Sequence, residues 1–442
     1  MKKTYVKYPY LTRDAVIYER DNGHKIVFAH KDGELVNIST WVKTGSINEN
    51  DKNNGISHFL EHLMFKGTHK HKAGYFDRTL EAKGAIVNAA TWKDYTFFYV
   101  TLPKGKDDKD LYLALELHAD MMMDPVLPEF EIGAPFDLAD TNVKDKRERH
   151  VVIEEIRMRK DQPWTKVYNN CNFNMYTKHP YKRDVIGTPE IISQVTREQI
   201  MNYYQTFYTP SNMTTIVVGD FDEEKVLAQI EKEFDFGTRQ NSSERKNPTD
   251  KPKDKTIFIE EKSMVNTGYA MLGWLGPKAK KVKETIYLDL LSIILGEGTS
   301  SRVYQDLIEK PKERIFNIVE SEHYQFKDGN NFFLQANFAP EKKEQAIKDL
   351  IDEMTGLLTN KITEDELLKA KKKIKTRLAC SAETVSDIGE TIGYYTTVCN
   401  DLTLVEDYIK DLETTTITDL ENTVKKYLQP ENAVVSILLP KN

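Results

Sequence analysis

The segment His58-Phe59-Leu60-Glu61-His62 places two imidazoles four residues apart with a carboxylate between them. On an α-helix, residues i and i+4 lie on one face, so His58 and His62 can bind the same metal ion. Glu61 lies three residues after His58, close enough to hold a water molecule at that ion. The pattern H-x-x-E-H therefore predicts the metal-binding helix of a zinc hydrolase.

The alternative is an exposed helix that carries two histidines by coincidence. Apolar side chains around the motif count against it, because they would bury this helix and its charged groups would then need partners. These apolar side chains are Phe59, Leu60, Leu63, Met64 and Phe65.

Composition limits the class of protein. The chain has 442 residues, of which 39% are hydrophobic and 30% charged, as expected for a globular protein of two or three domains. A net charge of −7 gives no indication of a nucleic-acid partner or an anionic membrane surface. No apolar stretch approaches the roughly 20 residues of a membrane span. The first ten residues resemble neither a secretory signal nor a presequence. The three cysteines are widely spaced, so we expect a reduced, cytoplasmic protein.

A zinc site needs a third protein ligand, with the fourth position left for water. The segment around Glu148 and Glu155 is the candidate, because two residues seven positions apart share a helical face. Glu154 would point about 100° away from that face. The alternative is an ordinary solvated helix face.

The chain divides at a polar, proline-containing segment. We expect domains at residues 1–235 and 255–442, joined by a linker at 236–254. Each half has a strand, a polar loop, a helix and a closing apolar strand in the same order, which predicts an internal duplication. The second half has no counterpart of the H-x-x-E-H motif, so one metal site is expected per chain.

Beyond the motif, several blocks follow one another in a recognisable order. They are Gly45-Ser46; 55–68; Gly84-Ala85-Ile86-Val87-Asn88-Ala89 with Thr91; 149–156; His179-Pro180-Tyr181; 186–190; Pro210-Ser211-Asn212-Met213; and 217–221. With these blocks the chain resembles the M16 family of metallopeptidases, and especially the shorter M16B branch that includes mitochondrial processing peptidase.

The resemblance implies a role for each matching residue. His58, His62 and Glu155 would bind Zn²⁺, and Glu61 would be the general base. Glu148 would support the site from behind its ligands. Asn88 would lie on an edge strand to which an extended peptide adds as one more strand; the alternative for Asn88 is a turn-capping amide.

Two departures from the family pattern stand out. Extra residues near 132–138 lengthen the gap between His62 and Glu155, and we expect a surface loop there. The family also carries an Arg and a Tyr in its second domain that hold the substrate and polarise its carbonyl. Here the Arg position is Ile308 and the Tyr position is Ile315 or Phe316, and none of these side chains donates a hydrogen bond.

These observations lead to one prediction of fold and function. The fold is expected to be α+β, with two similar α/β halves of the LuxS/MPP-like metallohydrolase type that form one half of a clamshell. The function is expected to be zinc-dependent endopeptidase activity on peptides or unfolded segments inside a closed dimer. A second M16-like subunit would supply the missing Arg and Tyr, with a heterodimer favoured over a homodimer. The alternative is a non-catalytic M16-like subunit that binds peptides or serves as a structural partner.

Overall fold

The computed structural model describes residues 1–140, 147–240 and 246–441. The strands are β1 Lys2–Val6, β2 Ala15–Glu19, β3 Lys25–His30, β4 Leu35–Val42, β5 Ile86–Thr91, β6 Thr96–Pro103, β7 Met213–Gly219, β8 Ile257–Ser263, β9 Gly268–Leu275, β10 Phe316–Tyr324, β11 Asn331–Phe338 and β12 Val434–Pro440. The helices are α1 Ile56–Met64, α2 Tyr75–Glu81, α3 Lys109–Met123, α4 Glu129–Ile132, α5 Glu148–Asp161, α6 Pro163–Met175, α7 Pro189–Ile192, α8 Arg197–Phe207, α9 Glu223–Glu233, α10 Val282–Gly296, α11 Arg302–Tyr304 (continued by a π-helix, Gln305–Glu309), α12 Lys343–Thr359, α13 Glu364–Cys380, α14 Val385–Thr397, α15 Leu404–Thr414 and α16 Ile417–Tyr427. None of these helices is long and apolar enough to cross a membrane.

The chain forms two compact units that exchange segments. Unit 1 comprises residues 1–157, 184–246 and 379–406, and unit 2 comprises residues 158–183, 247–378 and 407–442. A linear division at 235 and 255 therefore assigns two segments to the wrong unit. Residues 158–183 lie in the first half of the sequence but belong to unit 2, and residues 379–406 lie in the second half but belong to unit 1. Of the expected linker 236–254, residues 241–245 lie outside the described residues, and Phe236 is buried in the core of unit 1.

Each unit has its own sheet, and the two sheets share one strand order. In unit 1 the strand order is β1-β2-β3-β7-β4-β6-β5, and in unit 2 it is β10-β11-β9-β12-β8. If β1 and β2 are set aside, the two orders match strand for strand. In each unit the first and last strands in sequence (β3 and β7, β8 and β12) are parallel neighbours, and the other pairs are antiparallel. The expectation of two similar α/β halves is confirmed.

Both faces of the unit 1 sheet are buried, as the alternation along β4 illustrates. Val36 and Ile38 point into the core that contains α1 and α3, whereas Trp41 points into a second core that contains α14. His118 on α3 is fully buried and its Nε2 is 2.9 Å from Thr40 Oγ1, so it is a core histidine.

Strand β5 runs from Ile86 to Thr91 and includes Asn88, for which the resemblance implied an edge strand. β5 is the edge strand of the sheet, and its residues alternate between exposed and half-buried.

Helix α14 approaches the sheet very closely through two glycines. A Cβ on Gly389 would lie 2.5 Å from Asn37 Oδ1, and a Cβ on Gly393 would lie 1.9 Å from Trp41 Cε2. Since both neighbours are buried, any side chain on these glycines would force the helix away from β4.

We expect Gly393→Ala to destabilise the protein by roughly 1–3 kcal/mol, because overpacking displaces α14 or Trp41. The measurement is urea unfolding followed by circular dichroism and tryptophan fluorescence. Gly356→Ala is the matched control, since Gly356 is also helical but its nearest neighbour to an added Cβ is an Asn360 side-chain atom at 3.4 Å. That control should be neutral or stabilise by up to about 1 kcal/mol. Equal shifts in the two variants would contradict the close packing of α14.

Candidate metal centre

Helix α1 carries the motif and is fixed at its N-terminus by a buried carboxylate. Glu49 is fully buried and accepts hydrogen bonds from the backbone N–H groups of Gly55 and Ser57, at 2.7 and 2.9 Å. It also accepts one from the Ser57 hydroxyl at 2.5 Å. Burial raises the pKa of Glu49, an effect that these hydrogen bonds oppose. A carboxylate at the N-terminus of a helix satisfies otherwise unpaired N–H groups there, so Glu49 sets where α1 begins. Sequence reasoning missed Glu49, because it lies seven residues before α1 and outside the usual capping position.

The two motif histidines converge with Glu155. His58 Nε2 and His62 Nε2 lie 3.7 and 3.6 Å from Glu155 Oε2. These three residues are the only group of three or more potential metal ligands found within the described parts of the chain, with ligand atoms all within 4.8 Å of one another.

This donor set fits zinc. Two imidazole nitrogens and one carboxylate oxygen are the ligands of many catalytic zinc sites. Ligands bonded at about 2.0–2.2 Å in a tetrahedron lie about 3.3–3.6 Å apart, close to the two separations between histidine and glutamate. His58, His62 and Glu155 therefore suit zinc in both chemistry and spacing.

Glu155 reaches the site because α5 is fixed against α1. Arg149, on α5, is fully buried, and its guanidinium donates to the carbonyl oxygens of Gly133, Ile192 and Val195. The same guanidinium lies 5.5 Å from the ring centroid of Phe59 on α1. Burial lowers the pKa of Arg149 to about 10.

The extra residues near 132–138 are only partly a surface loop. Ala134, Pro135 and Asp137 are exposed, as expected, but Ile132 and Gly133 are buried. The Gly133 carbonyl binds Arg149, so the insertion helps to fix α5 rather than lying apart from the site. Residues 141–146 lie outside the described residues.

Glu148 lies next to His62. Its Oε2 is 3.2 Å from His62 Nδ1, and its Oε1 is 2.6 Å from Lys66 Nζ. Burial opposes ionisation of Glu148, but the contacts with His62 and Lys66 outweigh it and lower its pKa. A carboxylate there keeps the proton of His62 on Nδ1 and turns Nε2 toward Glu155.

The same neighbours act on His62. Burial alone would lower the pKa of His62, but the hydrogen bonds to Glu148 and Glu155 outweigh it and raise this pKa to about 9. A metal ion that takes the Nε2 position would therefore release a proton from His62 at neutral pH.

Glu61 is 8% exposed and close to β5. The Thr91 hydroxyl donates to Glu61 Oε2 at 2.6 Å. Asn88 is exposed in the middle of β5 and not in a turn, and its Oδ1 accepts a hydrogen bond from the Ala89 N–H. The turn-capping alternative for Asn88 is therefore wrong. Thr91 belongs to the motif blocks, but no role for it followed from the sequence. A hydroxyl residue at the end of the strand that faces the motif helix was the feature that could have indicated one.

Glu154 and the expected Arg and Tyr positions of unit 2 are not part of the metal-ligand cluster. Glu154 is exposed and pairs with Arg157 at 2.5 Å, so it is Glu155 that faces the histidines. In unit 2, Ile308 and Ile315 pack against the hydrophobic core, and Phe316 is 1% exposed. The positions expected for the Arg and Tyr are thus apolar and used for packing.

Comparison with known proteins identifies the family. Residues 25–189 match the model described as Insulinase (Peptidase family M16), and residues 194–374 match the model described as Peptidase M16 inactive domain. The chain therefore belongs to peptidase family M16. The resemblance noted from the motif blocks is confirmed at the level of the family.

Individual relatives agree with this assignment. The chain is 30% identical over 413 residues to a Helicobacter pylori protein named Zinc protease PqqE, covering 92% of this chain and 88% of that protein. A crystal structure of a protease from Helicobacter pylori matches with a TM-score of 0.84 and 28% identity, covering 99% of this chain and 100% of the other. A Pseudomonas fluorescens structure described as a peptidase M16 inactive domain has the same TM-score at 18% identity, covering 96% and 98%, and shows the shared fold.

We expect Glu148→Gln to weaken zinc binding by roughly 10- to 100-fold, because an amide holds the His62 proton on Nδ1 less firmly than a carboxylate does. The measurement is competition with a chromophoric chelator. Glu154→Gln is the matched control, an identical change on the exposed face of the same helix, and should leave the affinity unchanged. Equal affinities for all three proteins would contradict the role of Glu148.

Proposed function

We propose that this chain is a zinc-dependent metalloendopeptidase, with His58, His62 and Glu155 as zinc ligands and Glu61 as general base. The observation that carries the proposal is the convergence of these three ligand atoms next to a buried carboxylate. The name of the Helicobacter pylori relative, Zinc protease PqqE, supports the same metal and the same class of reaction.

Each residue of the site has a separate role in the proposed reaction. When bound, zinc supplies a Lewis acid that makes water more acidic near neutral pH and polarises a peptide carbonyl. Glu61 accepts the proton of the attacking water and passes it to the leaving amine. Glu148 and Lys66 hold His62 in one tautomer, and Arg149 keeps Glu155 facing the histidines.

Strand β5 is suited to hold the substrate. It is the edge of the seven-stranded sheet and pairs with β6 on one side. An extended peptide can add to the other side through backbone hydrogen bonds, a mode that requires an unfolded segment and little sequence specificity. Asn88, exposed in the middle of β5, is in a position to bind a backbone group of such a peptide.

The catalytic site is proposed to be completed by a second M16-like subunit. Ile308, Ile315 and Phe316 lack the hydrogen-bond donors that the family places at these positions, and the family model that matches residues 194–374 is described as inactive. The proposed arrangement is a dimer of the M16B type, preferably with a different chain that contributes an Arg and a Tyr. All three cysteines lie in the described part of the chain and none of them forms a disulfide there; we propose a cytoplasmic location for the complex.

Glu61→Gln tests the proposed reaction. The variant should still bind one zinc ion per chain and bind peptide, but lose roughly 10²- to 10⁴-fold in kcat, because an amide cannot accept the proton. The measurements are zinc content by mass spectrometry and hydrolysis of a quenched peptide, with and without 1,10-phenanthroline. Glu154→Gln is the control and should behave as the wild type. Unchanged turnover in Glu61→Gln would remove Glu61 from the base role. Zinc binding without hydrolysis in the wild type, alone or with a partner, would favour the non-catalytic alternative.

The divided site predicts low activity for the isolated chain. Addition of a second M16-like chain from the same genome should raise kcat and shift the mass in solution to that of a heterodimer. The measurements are light scattering and peptide hydrolysis for each chain alone and for the mixture. Full hydrolysis by the zinc-loaded chain alone, as a monomer or homodimer, would contradict the need for a different partner.

A further inference from the structure

The carboxylate of Glu61 is held by the end of an edge strand. Thr91 is the last residue of β5, and its Oγ1 lies 2.6 Å from Glu61 Oε2. This contact joins the helix that carries the motif to the strand on which the substrate is proposed to lie.

Thr91 is the donor and Glu61 the acceptor in this hydrogen bond. Thr96, the cross-strand partner of Thr91, donates its own proton to the Thr44 carbonyl at 3.0 Å. The two threonine oxygens are 3.4 Å apart. A threonine hydroxyl has a single proton, and an ionised carboxylate can only accept, so the proton of Thr91 is donated to Glu61.

The end of β5 is itself fixed in place. The turn after Thr91 is closed by a hydrogen bond from the Trp92 N–H to the Tyr95 carbonyl at 2.8 Å. The Trp92 and Lys93 carbonyls accept from the N–H groups of Ser46 and Ile47 at 3.3 and 2.9 Å. Gly45 permits this approach, since a Cβ there would lie 2.2 Å from the Trp92 carbonyl oxygen. The hydroxyl that contacts Glu61 therefore lies next to a turn that several backbone hydrogen bonds fix.

We propose that Thr91 is a positioning residue for Glu61, which fixes the orientation of the general base relative to a peptide bound along β5. This inference rests on the proposed peptidase function. Loss of the hydroxyl removes one of the contacts that select a Glu61 rotamer, and only some rotamers bring an oxygen to the attacking water. Thr91 acts through Glu61 and need not touch the substrate.

The test compares Thr91→Val, which removes the hydroxyl with little change of shape, with Thr91→Ser, which keeps it. Thr91→Val should lower kcat on the order of 100-fold, the scale expected for a displaced catalytic group, with KM and zinc content unchanged. Thr91→Ser should restore most of kcat. Thr96→Val is the matched control on the opposite strand, whose hydroxyl serves Thr44, and should lower kcat much less. All are assayed with a quenched peptide in the state, isolated or with partner, in which the wild type is active.

A crystal structure of each zinc-loaded variant gives a readout that does not depend on activity. The hydroxyl should lie within hydrogen-bond distance of Glu61 in the wild type and in Thr91→Ser, whereas in Thr91→Val the Glu61 side chain should leave its position. If Glu61 keeps its place in Thr91→Val, or if this variant has wild-type kcat, the inference about Thr91 is wrong. If the wild type hydrolyses no peptide in either state, the peptidase proposal fails instead, and the crystal structures still decide whether Thr91 positions Glu61.

Discussion

The candidate metal centre depends on a charged side chain that has no access to solvent. Removal of a guanidinium from water costs several kcal/mol unless its N–H groups find partners. Arg149 donates to three carbonyl oxygens, at Gly133 in a segment before α5 and at Ile192 and Val195 in a segment after it. Because backbone carbonyls move only with their segments, this bonding fixes the rotation and height of α5. Glu155 and Glu148 lie on that helix, so Arg149 fixes the position of both carboxylates.

The sequence predicted the parts of the site that depend on local geometry. Helical spacing places His58, Glu61 and His62 on one helix and Glu148 and Glu155 on one helical face, whereas the role of Glu155 as third ligand came from the family resemblance. The contacts that hold these residues depend on the tertiary fold and left little trace in the sequence. Glu49 reaches α1 from outside the usual capping position, and Arg149 reads as one more charged residue in a charged helix.

The boundaries of the two units also depend on the tertiary fold and could not be predicted from local sequence patterns. Local sequence patterns cannot say which sheet a helix covers. α6 lies within the metal-bearing half of the sequence but belongs to unit 2, and α14 follows most of unit 2 but belongs to unit 1. The pair Gly389 and Gly393 was the available signal for α14, because two small residues four apart allow a helix to lie very close to a sheet.

The duplication extends to one polar contact. In unit 1 the helix that follows β4 carries Glu61, which binds Thr91 on edge strand β5. In unit 2 the helix that follows β9 carries Asp289, whose Oδ1 lies 2.7 Å from Nδ1 of His323 on edge strand β10. A helix carboxylate thus meets an edge-strand side chain in both copies, although metal ligands accompany it only in unit 1 among the residues described.

The exchange of segments between the two units also affects the order in which the units can be completed during synthesis. Residues 379–406 complete unit 1, so the ribosome synthesises most of unit 2 before α14 can cover the face of the sheet opposite the metal-binding helix. A nascent chain therefore carries all three proposed metal ligands well before unit 1 is complete.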